Sequence, residues 1–311
     1  MSNIFAIIVT WNGMRFDWIK NCLSSLQNSD VPIQIIVIDN ASSDDTVDYI
    51  QRTYKNIHIF TYTENMGFGA ANNLGLEKAL QLGGEYFFLL NQDAWVDSDC
   101  VRRLVEQSQL NPEYGIISPI HLNGAGDAIE DFFETRIIPV NCTGLFSDFV
   151  LNKVKDQIYE SGFINAAAWL VTKECLEKVG GFSPVFYHYA EDDNFVHRLL
   201  FKKMKIGVYP KVFIYHDKEN SKTHAKSNLE IYKRRTATLH LSSPERDFDS
   251  RYFLWHLRKE IIKNIIIFNR TKYKNFLSDY IYFRTKTKNI EIHRSNSMGE
   301  NPFLFLQTRS K

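Results

Sequence analysis

The chain has 311 residues, of which 44% are hydrophobic, so it can bury the core of one large domain or two small ones. This composition excludes disorder along the whole chain. Residues 1–224 hold 19 Lys and Arg against 28 Asp and Glu, whereas residues 225–311 hold 18 against 8, so an acidic body precedes a basic tail.

Short apolar runs alternate with amphipathic runs through the first half of the chain, which is typical of strands alternating with helices. The predicted strands are Ile4–Thr10, Gln34–Asp39, Ile57–Thr63, Tyr86–Asn91 and Ile116–Pro119. The predicted helices run from 19 to 26, 42 to 54, 69 to 82 and 98 to 110. Such alternation predicts an α/β fold with a mostly parallel central sheet and helices on both of its faces.

The second half is less regular. Periodicity is lost from about Leu122 to Gln157, where we expect loops and short strands. It returns at Ile158–Thr172, a polar helix begins near Glu191, and a last strand reaches Ile214–Tyr215.

Four cysteines are spread through the chain without a C-x-x-C spacing, so we expect reduced thiols and neither a zinc site nor a disulfide framework. The first residues lack the basic region of a signal peptide, and no run approaches the roughly 20 apolar residues of a membrane span. These features predict a cytoplasmic protein.

Polar residues stand where three of the predicted strands end: Asn12, Asp39 and the run Asn91-Gln92-Asp93. Ligands of parallel sheets bind beyond the carboxyl ends of the strands, so these residues should share one rim. Asp93 can hold Mg²⁺ or Mn²⁺ against a diphosphate, or can be a turn residue. Asp39 can accept hydrogen bonds from a ribose or base, or can cap the next helix.

Glycines in the run NMGFGAANNLG (Asn65–Gly75) would let the backbone approach a phosphate at Gly67 and Gly69. The run is a weak dinucleotide fingerprint, because it follows the third strand and places Asn72 where the last glycine is needed. A Rossmann oxidoreductase is therefore disfavoured.

An acidic cluster, Glu191-Asp192-Asp193, opens the predicted polar helix. These acids can stabilise the helix start through its dipole, or one can be a general base that takes a proton from an acceptor hydroxyl. Neighbouring carboxylates raise one another's pKa, which suits a base. His216, at the end of the last strand, is a candidate second metal ligand or a structural histidine.

Six segments in series resemble glycosyltransferase family 2, the inverting group with the GT-A fold. They are VTWN (Val9–Asn12), IDNASSDDT (Ile38–Thr46), ENMGFGAANNLG (Glu64–Gly75), LLNQDAWV (Leu89–Val96), VGGF (Val179–Phe182) and YAEDDNFVHRLL (Tyr189–Leu200). The likeness is greatest to non-processive members, including rhamnosyltransferase-like enzymes of bacterial surface polysaccharides. It implies metal-dependent, inverting transfer from a nucleotide-diphosphate sugar to a glycan or lipid-linked oligosaccharide.

The resemblance also implies roles for individual residues. Donor contacts are expected from Thr10, Trp11, Asn12, Asp39, Asn40, Gly67, Asn73, Asn91, Gln92 and Asp93. Asp93 and His216 would hold the metal, and Asp192 would be the catalytic base with Glu191 beside it. Two departures are Asn91, in place of the first acid of D-x-D, and Asn194, in place of the last acid of E-D-x-D.

The resemblance predicts a catalytic domain at 1–224, with a nucleotide-binding half at about 1–120 and an acceptor half at about 121–224. Residues 225–311 are then a helical extension. Within it, Tyr252–Phe268 mixes aromatic, Ile and basic residues as interfacial helices do, which predicts reversible docking on an anionic membrane surface. The alternative is a helical subdomain that packs on the catalytic domain or on the second subunit of a homodimer.

Two other function classes stay open, and nucleic acid is not an expected partner. Asn91 and Asn194 are compatible with a degenerate sugar-nucleotide-binding or scaffold protein. A nucleotidyltransferase is less favoured, because it should carry a glycine-rich loop after the first strand, where this chain reads TWNGMRF. The sequence lacks Q-x-x-R-W, which argues against a processive polysaccharide synthase.

Overall fold

A β-sheet of nine strands forms the centre of the protein, which is described by a computed structural model for residues 3–218, 229–246 and 249–306. The strands are β1 (Ile4–Thr10), β2 (Gln34–Asn40), β3 (Ile57–Tyr62), β4 (Tyr86–Leu90), β5 (Ala94–Val96), β6 (Tyr114–Asn123), β7 (Tyr159–Ser161), β8 (Ala168–Thr172) and β9 (Lys205–His216). Their order in space is β3-β2-β1-β4-β8-β6-β9-β5, with β7 paired to β9. The predicted α/β fold class is confirmed.

The strands β1, β2, β3 and β4 pair in parallel, with β1 between β2 and β4. Their crossover helices are α1 (Trp18–Gln27), α2 (Thr46–Thr53) and α3 (Phe68–Gln81). In β1, Phe5 and Ile7 belong to one buried cluster, whereas Ile4, Ala6 and Ile8 belong to the other. A strand buried on both faces reads as a continuous apolar run, which explains the sequence pattern.

The second half of the sheet is mixed, so the sheet is less parallel than the alternation of elements predicts. β8 pairs antiparallel with both β4 and β6, and β9 pairs parallel with β6 but antiparallel with β5 and β7. Five further helices lie between β5 and β9 in the chain: α4 (Cys100–Leu110), α5 (Asp131–Glu134), α6 (Leu145–Val150), α7 (Lys173–Val179) and α8 (Glu191–Phe201). The aperiodic stretch at 122–157 therefore contains two short helices.

Three helices form the extension: α9 (Leu229–Ser242), α10 (Ser250–Ile266) and α11 (Arg270–Met298). Leu241, Leu257, Phe283 and Ile290 are their shared core, and Val185 of the preceding domain packs against it. The extension therefore packs against the domain that contains the sheet, called the sheet domain. Within the described ranges, no helix combines the length and apolar character of a membrane span.

The chain then returns to the sheet domain after α11. The carbonyl of Leu304 accepts a hydrogen bond of 2.7 Å from the N–H of Gly181, and Leu306 is buried in the same core cluster as Phe182. The carbonyl of Leu304 also lies against Gly180, where a Cβ would overlap it. This close backbone approach explains Gly180, whereas a Cβ at Gly181 would overlap the side chains of Asn73 and Leu306.

Candidate active site

The carboxyl ends of β1 and β2 meet at Thr10 and Asp39, which are direct partners in the strand register. The Thr10 hydroxyl donates to Asp39 Oδ1 at 2.9 Å, and the Ser42 N–H donates to Asp39 Oδ2 at 3.1 Å. The Ser42 hydroxyl also donates to Oδ1, and Asp39 is buried. Asp39 therefore shapes the loop after β2, and its remaining acceptor capacity is at Oδ2.

The loops after β1 and β2 are joined by hydrogen bonds. Asn12, with a φ of 50°, donates its N–H to the Ser42 hydroxyl at 2.9 Å and accepts at Oδ1 from the N–H of Ser43 at 2.8 Å. The N–H of Gly13 donates to the Thr46 hydroxyl at 2.8 Å. These hydrogen bonds hold the two loops together as one continuous surface, which we call the ledge.

Gln92 joins this ledge to β4. Its Oε1 accepts from the Trp11 N–H and its Nε2 donates to the Trp11 carbonyl, each at 3.0 Å. The Trp11 ring is exposed at the rim. Thr10, Trp11, Asn12, Asp39 and Gln92 thus share the carboxyl edge of the sheet, as the strand ends predict.

Asp93 and His216 lie side by side because Ala94 of β5 pairs with His216 of β9. Their Oδ1 and Nε2 atoms are 3.3 Å apart, and the side-chain nitrogen of Asn91 is 3.5 Å from the same Nε2. His216 is buried, whereas 21% of the Asp93 side chain is exposed. A ligand can therefore reach the Asp93 carboxylate.

The residues around Asp93 fit a divalent cation that is shared with a bound ligand. A carboxylate oxygen and an imidazole nitrogen are suitable donors, and a diphosphate could supply further oxygens. Over residues 3–218, 229–246 and 249–306, no three His, Cys, Asp or Glu side chains are grouped as a complete metal site. Asp93 and His216 would hold the cation on the protein side.

The acidic cluster lies at the same end of the sheet. The Asp192 carboxylate accepts a hydrogen bond of 2.9 Å from the N–H of Asp193, and it also interacts with the backbone N–H of Ala166. The carbonyl of the next residue, Ala167, accepts from the N–H of Asn91 at 2.9 Å. A short backbone path therefore connects Asp192 to the turn that carries Asp93.

All three of these acids have raised pKa values, and burial raises that of Asp193. Burial and the nearby charge of Asp193 raise the pKa of Asp192 to about 6. Burial and the charge of Asp192 raise the pKa of Glu191 to about 7. Glu191 is only 4% exposed and its Oε2 has no partner among the described residues, whereas Asp192 is half-buried. Of Glu191 and Asp192, Asp192 is the one that a substrate hydroxyl can reach.

Three predicted donor-contact residues make hydrogen bonds or close packing within the protein. The Asn40 side chain accepts from the Met66 N–H at 2.8 Å. The Asn73 side chain accepts from the Phe182 N–H at 2.7 Å and donates to the Phe182 carbonyl at 2.9 Å. A Cβ at Gly67 would overlap the carbonyl oxygen of Tyr187. Donor contacts by these three residues stay a prediction.

A cleft of about 560 Å³ opens beside His216. Its lining includes Glu130 and Phe132 from the α5 region, together with Asp217 and Lys218, which follow β9. Lys218 Nζ is 3.4 Å from Glu130 Oε1 and 5.0 Å from the centre of the Phe132 ring. Residues 122–157 have no periodic pattern, and Glu130, Phe132, Asp217 and Lys218 were not predicted as site residues.

The extension also contributes a side chain near the acids. The guanidinium of Arg235, on α9, lies 4.6 Å from the centre of the Tyr189 ring, two residues before Glu191. The charge of Arg235 lowers the pKa of Glu191, but burial raises that pKa and is the larger effect. The charge pattern of the sequence could not predict the position of Arg235, because Arg235 and Tyr189 are far apart in the chain.

Residues 5–134 match the family model described as Glycosyl transferase family 2. Over 91 residues the chain is 31% identical to a Bacillus subtilis protein named glycosyltransferase EpsH, covering 28% of this chain and 26% of that protein. Over 83 residues it is 35% identical to an uncharacterized glycosyltransferase of Haemophilus influenzae, covering 26% and 32%. The aligned part thus spans about a quarter to a third of these relatives.

Solved structures resemble nearly the whole chain. S. aureus TarS 1–349 in complex with UDP has a TM-score of 0.56 at 15% identity, over 95% of this chain and 90% of that one. The mannosyltransferase PcManGT from Pyrobaculum calidifontis, in complex with GDP-Man and Mn²⁺, has a TM-score of 0.54 at 18% identity, over 95% and 73%. At such identities the likeness establishes the fold alone. The chain therefore has the GT-A glycosyltransferase fold, and its residues 5–134 match the model of glycosyltransferase family 2.

Proposed function

We propose that this protein is an inverting glycosyltransferase that moves a sugar from a nucleotide-diphosphate sugar to a glycan or lipid-linked saccharide, in the synthesis of a cell-surface polysaccharide. The observation that carries the proposal is the position of Asp93, His216 and Asp192 at one end of the sheet. The family match over residues 5–134 supports the same reaction class.

The proposed donor site begins at the ledge formed by the loops after β1 and β2. Asp39 Oδ2 can accept a hydrogen bond from the nucleoside, and the exposed Trp11 ring offers a flat surface for a base. Asp93 and His216 would hold Mg²⁺ or Mn²⁺ beside the diphosphate. Such a cation neutralises the charge that develops on the departing nucleotide.

In the proposed reaction, Asp192 accepts the proton of the acceptor hydroxyl as that oxygen attacks the anomeric carbon. The pKa of about 6 keeps Asp192 ionised at neutral pH while making it a stronger base than an ordinary aspartate. The cleft beside His216 is the proposed acceptor site, where the Phe132 ring can pack against a sugar and Lys218 can bind a polar substituent.

Isothermal titration with UDP, GDP and dTDP, each with and without Mn²⁺, tests the donor site. We expect one nucleotide to bind at least about tenfold more tightly with Mn²⁺, which corresponds to about 1.4 kcal/mol. Asp93→Asn should abolish this gain. Asp48→Asn, at an exposed position of α2, is the matched control and should keep it. Absence of nucleotide binding, or a full metal gain in Asp93→Asn, would contradict the proposal.

A sugar-nucleotide-binding scaffold is the second candidate, favoured by the amide at Asn91 where the family has an acid. Both candidates predict nucleotide binding, so turnover separates them. Release of nucleotide diphosphate from the bound donor, faster in the wild type than in Asp192→Asn, would support the enzyme. Binding with equal, background-level release from both proteins would support the scaffold.

A further inference from the structure

An apolar stripe follows the outer face of α10. Tyr252, Trp255, Ile262 and Ile266 recur with helical spacing, and Phe268 follows two residues after the helix end. All five side chains are exposed, Ile266 by 68% and Phe268 by 91%. We call these five residues the α10 stripe.

The bundle does not need the α10 stripe for its own core. The opposite face of α10 carries Leu257, which is buried in the core of the extension, and Phe253, whose ring centre is 4.9 Å from that of Phe283 in α11. Large apolar side chains concentrated on an exposed helix face mark a surface that something else covers.

Basic residues surround the stripe. Residues 251–274 contain seven Lys or Arg and one acid, Glu260. Glu260 lies 3.7 Å from the ammonium of Lys263 and so is already next to a cation. Lys259 lies within the stripe, with its ammonium 3.8 Å from the centre of the Trp255 ring. The surface is therefore apolar along its centre and strongly positive around it.

This charge distribution indicates which partner covers the α10 stripe. A second copy of the chain placed stripe to stripe would bring like charges together, which is unfavourable. An anionic bilayer can accept the apolar side chains at the boundary of its acyl chains, while its headgroups attract the Lys and Arg ammonium and guanidinium groups.

We propose that the α10 stripe lies in the plane of an anionic phospholipid surface and docks the protein there reversibly. This inference goes beyond the proposed function and does not depend on it, because it rests only on α10 and the residues that follow it. If both hold, docking brings the catalytic domain to the surface where lipid-linked acceptors are found.

Vesicle sedimentation of the full-length protein tests the proposal. We expect binding to vesicles of equal parts phosphatidylcholine and phosphatidylglycerol, weakened by salt, and little binding to phosphatidylcholine alone. Trp255 emission should shift to shorter wavelength on binding. Trp255→Phe should lose that shift and still sediment with the vesicles. Equal recovery on both kinds of vesicle, or on neither, would overturn the proposal.

Variants separate the apolar contribution to vesicle binding from the electrostatic one. The double variant Ile266→Glu with Phe268→Glu should abolish vesicle binding. Replacing Lys259, Lys263 and Lys272 by Gln should weaken it on the order of 100-fold, since each basic residue near an anionic surface contributes about fivefold. Unchanged thermal unfolding and nucleotide binding would show that the fold and the donor site are intact.

The matched control is Leu82→Glu with Leu110→Glu, which introduces two acids at exposed apolar positions of the catalytic domain. This control should bind vesicles as the wild type does. An equal loss in the control would overturn the proposal. So would light scattering that shows a wild-type dimer converted to a monomer by Ile266→Glu with Phe268→Glu, because a second copy would then be the occupant of the α10 stripe.

Discussion

Adjacent carboxyl groups at the start of α8 lie in different surroundings. Asp192 is half-buried and accepts hydrogen bonds from backbone N–H groups, whereas Glu191 is almost fully buried with an unpartnered oxygen. Burial raises both pKa values, to about 6 for Asp192 and about 7 for Glu191. Their ionisation therefore opposes folding, and this cost grows as pH rises from the unfolded-state pKa of each acid through its folded-state pKa.

In the proposed mechanism, the pH dependence of transfer follows from the Asp192 pKa. A general base must be ionised, so kcat/KM should rise with pH up to about 6 and level off above that value. Asp192→Asn should lower kcat by roughly 10²- to 10⁴-fold and leave nucleotide affinity unchanged, because the amide cannot accept the proton. Initial rates of transfer or donor hydrolysis between pH 5 and pH 8, a range that brackets the two pKa values, check both expectations.

The control for this experiment is Asp48→Asn, which makes the same chemical change on the exposed side of α2. It should keep the wild-type rate and pH profile. A rate that does not change across pH 6, or an Asp192→Asn variant within a few-fold of the wild type, would remove Asp192 from the role of base.

At the scale of the elements, a buried arginine joins α8 to its neighbours. Arg198 donates to the carbonyls of Val179 at 2.6 Å and Gly181 at 2.7 Å, and to Asn194 Oδ1 at 3.0 Å. The Asn194 side-chain nitrogen donates in turn to the Ser242 hydroxyl of α9 at 3.1 Å. An amide can accept from Arg198 and donate to Ser242, whereas an ionised acid can only accept. This dual role gives a physical reason for Asn194.

Arg198→Lys should destabilise the protein although it keeps the charge. A single ammonium cannot reach three separate acceptors, so buried carbonyls would lose their donors at a cost of roughly 2–4 kcal/mol. Urea unfolding followed by circular dichroism measures this loss. Arg52→Lys, the same change at an exposed position of α2, should stay within about 0.5 kcal/mol of the wild type. Equal stability of Arg198→Lys and the wild type would contradict this account.

In the parallel half, β1, β2 and β4 could be predicted because they are apolar runs buried on both faces. The strands β5 and β7 have three residues each, which is too short for a periodic pattern, and the antiparallel insertion of β8 depends on tertiary pairing. The rim residues followed from strand ends. Glu130, Arg198 and Arg235 could not be predicted, because their partners are far away in sequence.

In the molecule as a whole, the segment that follows α11 packs against α3 and the turn before α8. Asn73 of α3 donates to the Phe182 carbonyl at 2.9 Å and to the Phe305 carbonyl at 3.4 Å. The Arg198 guanidinium lies 5.3 Å from the centre of the Phe305 ring. The segment after α11 thus covers the turn that supports α8. The stability of the sheet domain should therefore depend on residues outside the family match.

Removal of residues 301–311 should lower the free energy of unfolding by roughly 3–6 kcal/mol. The loss combines the burial of Leu306, worth about 2–3 kcal/mol, with a hydrogen-bond acceptor taken from the Gly181 N–H. Leu306→Ala in the full chain should reproduce roughly half of the effect by leaving a cavity. Met298→Ala, at an exposed position of α11, is the control. Urea unfolding compares the three proteins with the wild type, and an unchanged midpoint after truncation would show that this segment packs without stabilising the domain.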